Sequence, residues 1–311
     1  MKKILIVGYG SHTKRKIIPS LLEINSDKEL YITSRKDNIE DNSELNLKFL
    51  NLNEIIENKI NFDSIIISSY PSTHIDNLFQ LLENSNNFLI EKPITSDLDF
   101  LLGNEFKRIY DQKNIFECLM YFHHPLYKEF IKIINNNNVK EINSEFMIPH
   151  LPIENFRYKK KLGGGSTYDQ GVYPISLIQN SCNLAFEKLD FELFKNNDHE
   201  VDLGGKINCY DVSGYKINIR WGMGFEYSNF AEIVTDNETY NFPMIYSKPD
   251  DYVPYYTISK EGAEEEVTLD ESNQFKIMYK NLIFNEGEKI DYSSYENIKT
   301  RYNLIRTILN D

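Results

Sequence analysis

Residues 4–13 read Ile-Leu-Ile-Val-Gly-Tyr-Gly-Ser-His-Thr, and this stretch decides the fold of the first part of the chain. The continuous apolar run predicts a buried parallel strand, and the residues after it have helical spacing. Between them, Gly8 permits a tight turn and Gly10 permits the close approach of a pyrophosphate, which amides at a helix start would bind. Thr13 replaces the third glycine of the dinucleotide-binding fingerprint. An ordinary strand-to-helix turn is the alternative. The expected dinucleotide site comprises Gly8, Gly10, Ser11, His12 and Thr13.

Strands and helices alternate along the first 118 residues. Apolar runs predict three further strands, at 30–33, 63–69 and 88–90. This alternation is typical of βαβ units around a parallel sheet. Beyond residue 118 the pattern changes: short β-rich runs fill 189–268, and helices are predicted at 126–134, 169–178 and 297–309. The β-rich part predicts an antiparallel sheet with one face open to water or to a partner.

Composition limits the class of protein. At 311 residues, 41% of them hydrophobic, the chain is long enough for two domains. A net charge of −13 argues against nucleic acid or an anionic membrane as a partner. No apolar run has bilayer length and the pattern of a signal peptide is missing, so we expect neither a membrane span nor a signal peptide. The cysteines are few and odd in number (Cys118, Cys182 and Cys209), so we expect a cytoplasmic protein with neither a disulfide framework nor a metal.

The residues after the second predicted strand bear on the choice of cofactor. An NAD site usually places a carboxylate there to hold the 2′-hydroxyl of the ribose. This chain has Ser34 and Arg35 instead, and a 2′-phosphate suits them, because Ser34 can hydrogen-bond it and Arg35 can clamp it. We therefore expect NADP rather than NAD. In the alternative, Arg35 and Lys36 are solvated surface charges, and Asp37 holds the ribose.

Three polar side chains have the chemistry of a proton-transfer site. Lys92 follows an apolar run and precedes Pro93, as does a side chain presented at the end of a strand. Asp169 and Tyr173 are four residues apart, so on a helix they project from one face. A run of three glycines, 163–165, precedes them and permits a close approach of the backbone. Gathered over a dinucleotide, such a lysine, tyrosine and aspartate would support hydride chemistry.

The order and spacing of these motifs resemble the family named for glucose–fructose oxidoreductase, inositol dehydrogenase and rhizopine catabolism proteins (Gfo/Idh/MocA). The resemblance covers most of the chain. It rests on the Gly8/Gly10 turn with 18–21 (Ile-Pro-Ser-Leu), on 70–74 (Tyr-Pro-Ser-Thr-His), 91–93 (Glu-Lys-Pro), 124–126 (His-Pro-Leu) and 163–173, from the three glycines to Tyr173.

This resemblance implies an α/β fold with two domains. A Rossmann domain with a doubly wound parallel sheet would span residues 1–118. An α+β domain with a large, open, mostly antiparallel sheet would span residues 119–311, bind the substrate and form a homodimer or homotetramer. The C-terminal helix would belong to the second domain or pack back on the first.

The resemblance also implies roles for the polar trio. The family lysine of Glu-Lys-Pro lies beside the nicotinamide and the substrate hydroxyl, and here it would be Lys92. The family usually has a catalytic histidine where this chain has Tyr173, although some sugar-processing members also carry tyrosine. Since a tyrosine with a pKa of about 10 is a poor base but a competent acid, especially beside Lys92, the change favours carbonyl reduction. Asp169 would orient the lysine or a substrate hydroxyl, or would only favour its helix dipole, and Tyr173 has the alternative of a core role.

Further side chains are expected around the two ligands. The cofactor would also contact Ser69, Tyr70, Pro71, His74, Glu91 and Lys92. The substrate would contact Lys92, His123, Tyr168, Asp169 and Tyr173. The family often has Arg-Phe-His-Pro where residues 122–125 read Phe-His-His-Pro, so a substrate-facing charge is missing or is supplied by His123.

The leading hypothesis is NADPH-dependent reduction of a keto-sugar, with a nucleotide-linked sugar favoured and Tyr173 with Lys92 as the proton donor system. A dehydrogenase of free sugars or polyols and an imine reductase are the enzymatic alternatives. A regulatory protein that binds NADP without catalysis is a hypothesis of another class. The presence of Lys92, Asp169 and Tyr173 argues against it, because a pure binding module does not need that trio.

Overall fold

The computed structural model describes residues 1–34, 47–185, 189–287 and 291–309. The chain forms two compact units, each with its own sheet. Unit 1 comprises Met1–Leu119 and Phe275–Lys289, and unit 2 comprises Met120–Gln274 and Ile290–Asp311. The C-terminal helix therefore clusters with unit 2, whereas the segment that begins at Phe275 returns to the N-terminal unit.

Unit 1 contains a six-stranded sheet with the order β3-β2-β1-β4-β5-β6, and all neighbouring strands in it are parallel. Its strands are β1 (Lys2–Val7), β2 (Lys28–Thr33), β3 (Leu47–Phe49), β4 (Ser64–Ile67), β5 (Asn87–Glu91) and β6 (Asn114–Cys118). Residues 4–6 and 65–67 are fully buried, as the continuous apolar runs of a sheet covered on both faces require. The predicted doubly wound parallel sheet is confirmed. The strand order reverses between β1 and β4. In doubly wound sheets generally, ligands bind at such a point, outside the carboxyl ends of the strands.

The described residues contain nine α-helices: α1 (Ile18–Leu22), α2 (Leu52–Glu57), α3 (His74–Gln80), α4 (Leu98–Leu102), α5 (Asn104–Gln112), α6 (Pro125–Asn136), α7 (Val172–Ser181), α8 (Gln274–Ile283) and α9 (Tyr295–Leu309). α1 and α7 each continue a π-helical segment, Thr13–Ile17 and Thr167–Gly171. Both π-helical segments follow the glycine-containing turns noted in the sequence. π-helical turns are rare and occur often at functional sites.

Unit 2 is built on an eight-stranded sheet with the order β14-β13-β12-β11-β7-β10-β9-β8. Its strands are β7 (Val139–Ile148), β8 (Asp190–Phe194), β9 (Gly204–Tyr210), β10 (Lys216–Met223), β11 (Ser228–Thr235), β12 (Thr239–Pro243), β13 (Tyr255–Lys260) and β14 (Ala263–Thr268). Neighbouring strands are antiparallel except β7 and β10, which are parallel. The prediction of a mostly antiparallel sheet is confirmed.

The two faces of this sheet differ in polarity. Alternate residues of β10 are buried, with Trp221 fully so, because successive side chains of a strand point to opposite faces. On the other face, Asn218 donates to Glu141 at 2.6 Å and Asn143 donates to Glu232 at 2.9 Å. One face therefore belongs to the core, and the other carries hydrogen-bonded polar side chains. Homodimer or homotetramer formation stays a prediction.

Helices that combine the length and the apolar character needed to cross a membrane are absent from the described part of the chain. Within the same four ranges, His, Cys, Asp and Glu side chains do not gather in groups of three or more that could hold a metal ion. The cysteine side chains are free thiols, and those of Cys118 and Cys209 are buried.

Candidate active site

The two glycines of the turn after β1 lie in different surroundings. Gly8 has a φ of +109°, and a Cβ on it would lie 2.5 Å from the carbonyl oxygen of Ser68, so only glycine fits there. Gly10 differs, because a Cβ on it would meet no heavy atom within 4 Å. Gly8 therefore serves the fold, whereas Gly10 borders open space at the start of a helix. Binding of a dinucleotide diphosphate in that open space stays a prediction.

The helix that follows directs its amino end at this space. Residues 11–22 are helical, and the Lys14 N–H donates to the Gly10 carbonyl at 3.1 Å. The amides of residues 11–13 precede this bond, and they form the positive end of the helix dipole. Such an end stabilises an anion. Residues 8–13 are therefore the predicted phosphate-binding turn, called the phosphate turn below.

Thr13 shows why the third glycine of the fingerprint is dispensable here. Its side chain is fully buried, and its hydroxyl donates to the Gly8 carbonyl at 2.9 Å. The same hydroxyl lies 3.2 Å from that of Ser68, which follows β4. Thr13 therefore holds the helix close to β1 and β4 by hydrogen bonding, where a glycine would do so by being small.

Ser34 lies beside this turn, immediately after β2. The Gly8 N–H donates to the carbonyl of Thr33 at 2.9 Å, which joins the end of β2 to the phosphate turn. Ser34 is half-buried. Arg35, expected to clamp a 2′-phosphate, lies outside the described residues, as do Lys36 and Asp37. Ser34 thus lies at the carboxyl end of β2, and its contact with the ribose or its 2′-phosphate stays a prediction.

β5 carries Lys92 to the carboxyl edge of the sheet. The strand ends at Glu91, which is buried, and its carboxylate accepts a hydrogen bond from Nε2 of His12 at 3.1 Å. The phosphate turn and the end of β5 are thus joined directly. Lys92 is half-buried, and its peptide bond to Pro93 is cis.

His74 contacts the segment that follows Lys92. It is buried, with Nδ1 lying 3.0 Å from the carbonyl oxygen of Pro93 and Nε2 lying 3.1 Å from that of Ser69. Burial lowers the pKa of His74. The ring is therefore neutral near pH 7, and only one nitrogen donates at a time. His74 holds the Lys92 loop against the loop after β4, a positioning role.

The loop after β4 holds the remaining expected cofactor contacts. Ser69 accepts hydrogen bonds from Thr73 and Asn77 at 3.0 and 2.9 Å, which fixes its hydroxyl. Tyr70 is exposed, and Pro71 begins a 3₁₀ turn, Pro71–Thr73. In this loop, the hydroxyl of Ser69 is held by hydrogen bonds and the side chain of Tyr70 is accessible to solvent. A cofactor contact for these residues stays a prediction.

In unit 2, Asp169 lies in the π-helical segment and Tyr173 lies in the first turn of α7. The side chain of Tyr173 is only 5% exposed, and its hydroxyl lies 3.7 Å from the sulfur of Met120. Three rings pack around it with centroids at 6.0, 5.3 and 5.8 Å, those of Tyr121, Phe146 and Tyr246. Tyr168 is buried as well. The aromatic packing fixes the Tyr173 ring, whatever its chemical role.

Asp169 forms an ion pair with Arg157, a residue that the motifs did not indicate. The side-chain amide of Gln170 also donates to the Asp169 carboxylate. The side chain of Arg157 is 30% exposed and that of Asp169 is 13% exposed, so the pair is mostly shielded from water. The charge of Asp169 raises the pKa of Arg157, which therefore stays protonated. The Arg157 guanidinium is thus a positive charge beside Asp169.

A buried carboxylate fixes the start of the helix that carries these residues. Asp202 accepts from the N–H and from the hydroxyl of Thr167 at 2.7 and 2.8 Å, and Trp221 donates to the same hydroxyl at 3.1 Å. Burial raises the pKa of Asp202, although the bonds from Thr167 oppose this effect. Gly171 is needed for close packing, because a Cβ there would lie 2.9 Å from the Trp221 indole nitrogen. Asp169 and Tyr173 therefore stand on a well-anchored segment.

His123 does not supply the substrate-facing charge considered for it. Its side chain is buried, and its Nε2 lies 3.0 Å from the hydroxyl of Tyr292. Burial, together with the charge of Lys128, lowers the pKa of His123 to about 3, so the ring is neutral near pH 7. In unit 2, the cation beside Asp169 is Arg157.

The chain is similar to known proteins in sequence and in fold. A curated relative, the dTDP-3,4-didehydro-2,6-dideoxy-alpha-D-glucose 3-reductase of Actinomadura kijaniata, is 24% identical over 221 residues. The match covers 68% of this chain and 65% of that enzyme, so the chain spans about two thirds of its relative's length.

Solved structures share the fold over nearly the whole chain. A 3-ketoreductase from Actinomadura kijaniata in complex with NADP and TDP-benzene has a TM-score of 0.82 at 19% identity, covering 99% of this chain and 97% of the other. A super-repressor mutant of Gal80p from Saccharomyces cerevisiae has a TM-score of 0.80 at 12% identity, covering 99% and 95%. At these identities the likeness shows the fold alone.

The family model decides the wider grouping. Residues 2–114 match the GFO_IDH_MocA model, described as an oxidoreductase family with an NAD-binding Rossmann fold. This range contains the phosphate turn, β1–β5 and Lys92. The predicted resemblance to the Gfo/Idh/MocA family is confirmed by this match, which covers the N-terminal, Rossmann part of the chain.

Proposed function

We propose that this chain is an NADPH-dependent reductase that acts on a keto group of a sugar linked to a nucleoside diphosphate. The observation that carries the proposal is the phosphate turn: Gly10 borders open space in front of a helix amino end, and His12 joins that turn to Glu91, the neighbour of Lys92. A dinucleotide bound in that space would lie at the same edge of the sheet as Lys92. The match of residues 2–114 to an oxidoreductase family with an NAD-binding Rossmann fold supports hydride chemistry there.

The relatives support the class of substrate and the cofactor. The curated relative is named as a reductase of a dTDP-linked deoxysugar at position 3, and the solved 3-ketoreductase binds NADP and TDP-benzene. We therefore favour a dTDP-linked 3-keto-sugar as the first substrate to test. The Ser34-Arg35 pair supports NADPH over NADH, because neither side chain would repel a 2′-phosphate.

The residues would divide the chemistry as follows. NADPH, when bound, supplies the hydride that forms the new C–H bond. As the carbonyl double bond opens, Tyr173 gives its hydroxyl proton to the nascent alkoxide, and Lys92 stabilises the negative charge on that oxygen. The tyrosinate then regains a proton from water. Asp169 orients the lysine or a substrate hydroxyl, and Ser11, His12 and Thr13 bind the diphosphate of the cofactor.

The test combines two variants with separate readouts of binding and turnover. Lys92→Met and Tyr173→Phe should each lower the rate of NADPH oxidation with a dTDP-linked keto-sugar by about 10²–10⁴, the usual contribution of a general acid. Tyr173→Phe should bind NADPH as the wild type does, since Tyr173 is not among the expected cofactor contacts. Lys92→Met removes one such contact and keeps the phosphate turn, so it should still bind NADPH. Near-wild-type rates in either variant would sink the mechanism.

Panels of substrates separate the enzymatic alternatives. Reduction of free keto-sugars, or of imines, with no preference for the dTDP-linked form would indicate a polyol dehydrogenase or an imine reductase instead. A regulator that binds NADP without catalysis is the second candidate, since the fold, which is shared with a super-repressor mutant of Gal80p, does not decide between the two. Tight NADPH binding with no turnover on any carbonyl or imine would favour that candidate.

A further inference from the structure

The three glycines at 163–165 let the chain fold back on Arg157. A Cβ on Gly164 would lie 2.5 Å from the carbonyl oxygen of Arg157 and 2.6 Å from that of Phe156. Gly165 has a φ of +126°, and its N–H donates to the same Arg157 carbonyl at 2.9 Å. No side chain larger than hydrogen fits at Gly164 without moving backbone. The glycine run therefore fixes where the Arg157 backbone lies.

The other side of Arg157 is fixed as well. The Asn155 side chain accepts from the Arg157 N–H at 3.1 Å and so caps the 3₁₀ turn Phe156–Tyr158. Tyr158 is buried in an apolar cluster with Val201 and Met223. A residue held by a cap, a buried neighbour and a glycine run has little freedom, and its side chain leaves the backbone from a defined point.

From that point the guanidinium meets the Asp169 carboxylate. The two form a mostly shielded ion pair, and the charge of Tyr173 also interacts with Arg157 when the phenol is ionised. Three groups that can carry charge are thus coupled within one unit: a permanent cation, a carboxylate and a phenol. Asp169 and Tyr173 are four residues apart on consecutive helical segments, so the Arg157–Asp169 ion pair lies about one helical turn from Tyr173 in the chain.

We infer that Arg157 is a positioning residue of the reductase site, which orients Asp169 and whose charge favours the release of the Tyr173 proton. The inference rests on the proposed function for its meaning in catalysis. The step it assists is a proton transfer, in which the O–H bond of Tyr173 breaks, an O–H bond forms on the substrate alkoxide, and the negative charge passes to the phenol oxygen. A nearby cation stabilises that charge.

A competing role for an arginine in a nucleotide-sugar enzyme is to bind the diphosphate of the substrate. The two roles predict different results. A positioning residue affects the acidity of Tyr173 in the absence of substrate, whereas a diphosphate ligand affects mainly the KM for the sugar nucleotide.

The experiment titrates Tyr173 directly. 3-Fluorotyrosine is placed at position 173, and its ¹⁹F resonance is followed against pH in the full-length chain and in Arg157→Gln, Arg157→Lys and Asp169→Asn. Arg157→Gln should raise the midpoint by about one unit or more, as expected when an opposite charge is removed. Asp169→Asn should lower it, because the guanidinium is then uncompensated, and Arg157→Lys should stay near the wild type. The same label at Tyr227, which is exposed, is the control and should titrate alike in all four proteins.

Opposite shifts in the two neutralising variants would support the inference, because a structural defect has no reason to move the midpoint in opposite directions. An unchanged midpoint in folded Arg157→Gln would overturn it. If that variant does not fold, the Asp169→Asn arm decides alone: a lowered midpoint supports the inference, and an unchanged or raised midpoint overturns it.

Turnover provides a second readout that separates the inference from the proposed function. With a dTDP-linked keto-sugar, Arg157→Gln should lower kcat at least tenfold with little change in KM, and Arg157→Lys should recover part of the rate. A raised KM with unchanged kcat would overturn the inference and assign Arg157 to the diphosphate. If the wild type reduces no carbonyl, the proposed function fails, yet the ¹⁹F titration still tests whether Arg157 governs the acidity of Tyr173.

Discussion

The two glycines of the phosphate turn should respond differently to the same substitution. Gly8→Ala places a methyl group 2.5 Å from the Ser68 carbonyl oxygen at a φ of +109°. The positive φ costs about 1–3 kcal/mol, and the overlap costs about 1–3 kcal/mol more. Ser68 cannot move away cheaply, because its N–H is bonded to Val7 at 2.8 Å between two neighbouring strands. We expect Gly8→Ala to lose about 2–6 kcal/mol of unfolding free energy.

Gly10→Ala should leave the fold intact and weaken cofactor binding. Its methyl group would meet no protein atom within 4 Å, so the stability should change by no more than about 1 kcal/mol. The same methyl group would occupy the open space that fits the diphosphate. Loss of one charge-assisted hydrogen bond, about 1.5–3 kcal/mol, corresponds to a rise of about 10–150-fold in the Kd for NADPH.

Two measurements on each variant check this contrast. Urea unfolding followed by circular dichroism gives the stability, and the rise in NADPH fluorescence on binding gives the Kd. Gly10→Ala with wild-type affinity for NADPH would refute the assignment of this turn to the diphosphate. Gly8→Ala with wild-type stability would refute the steric argument for the glycine.

Two buried titratable side chains predict how stability varies with pH, each checked by urea unfolding of wild type and variant across a pH series. Burial and the charge of Lys248 lower the pKa of His124 from 6.5 to about 2, so below pH 6.5 only the unfolded chain takes up this proton, and stability falls by about 1.4 kcal/mol per pH unit towards pH 2. His124 caps α6, since its Nδ1 accepts from the Leu126 N–H at 3.1 Å, and Asn at this position can cap the helix as well. His124→Asn should therefore remove about 3 kcal/mol of this loss of stability between about pH 6.5 and pH 4.5. Equal slopes of stability against pH in the two proteins would contradict the prediction. Burial lowers the pKa of Lys248 from 10.5 to about 7, so between these pH values only the unfolded chain takes up this proton, and stability falls as pH falls from 10.5 to 7. Lys248→Met should therefore gain about 4 kcal/mol relative to the wild type between about pH 10 and pH 7, and a difference that does not vary with pH would show that the lysine is charged in the folded protein.

Local patterns in the sequence were enough to predict the main elements of both sheets. Continuous apolar runs indicated β1, β2, β4 and β5, because strands covered on both faces need such runs. β6 was not predicted, since its apolar residues are interrupted by Glu117, a carboxylate that the structure nevertheless buries completely. β7 was missed because it alternates, with polar residues on the outer face of the second sheet.

Long-range features lay beyond what local patterns carry. The return of the segment from Phe275 to unit 1 depends on contacts with residues far away in the chain, and spacing does not encode them. For the same reason, the local patterns did not indicate the ion pair of Arg157 with Asp169. The glycine run signalled a close backbone approach, but only the structure identifies the Arg157 carbonyl as the group approached.

The site was predicted best where a motif has a steric cause. Gly8 and Gly10 differ in the structure as the fingerprint requires, and Thr13 replaces a glycine by making hydrogen bonds. His123 shows the opposite case. Its residue type allowed a charge near the substrate, whereas complete burial makes the ring neutral, and burial of a single histidine cannot be inferred from its neighbours in sequence.

Hydride transfer to a sugar carbonyl is tested most directly by isotope labelling. The protein is incubated with a dTDP-linked 3-keto-sugar and NADPH that carries deuterium at C4 of the nicotinamide, in separate samples for its two faces, and the product is examined by mass spectrometry and NMR. We expect one of the two samples to give a product with a single deuterium on the carbon that was the carbonyl. Bound NADPH with unlabelled sugar in both samples would contradict the assignment of this chain as a reductase of such sugars.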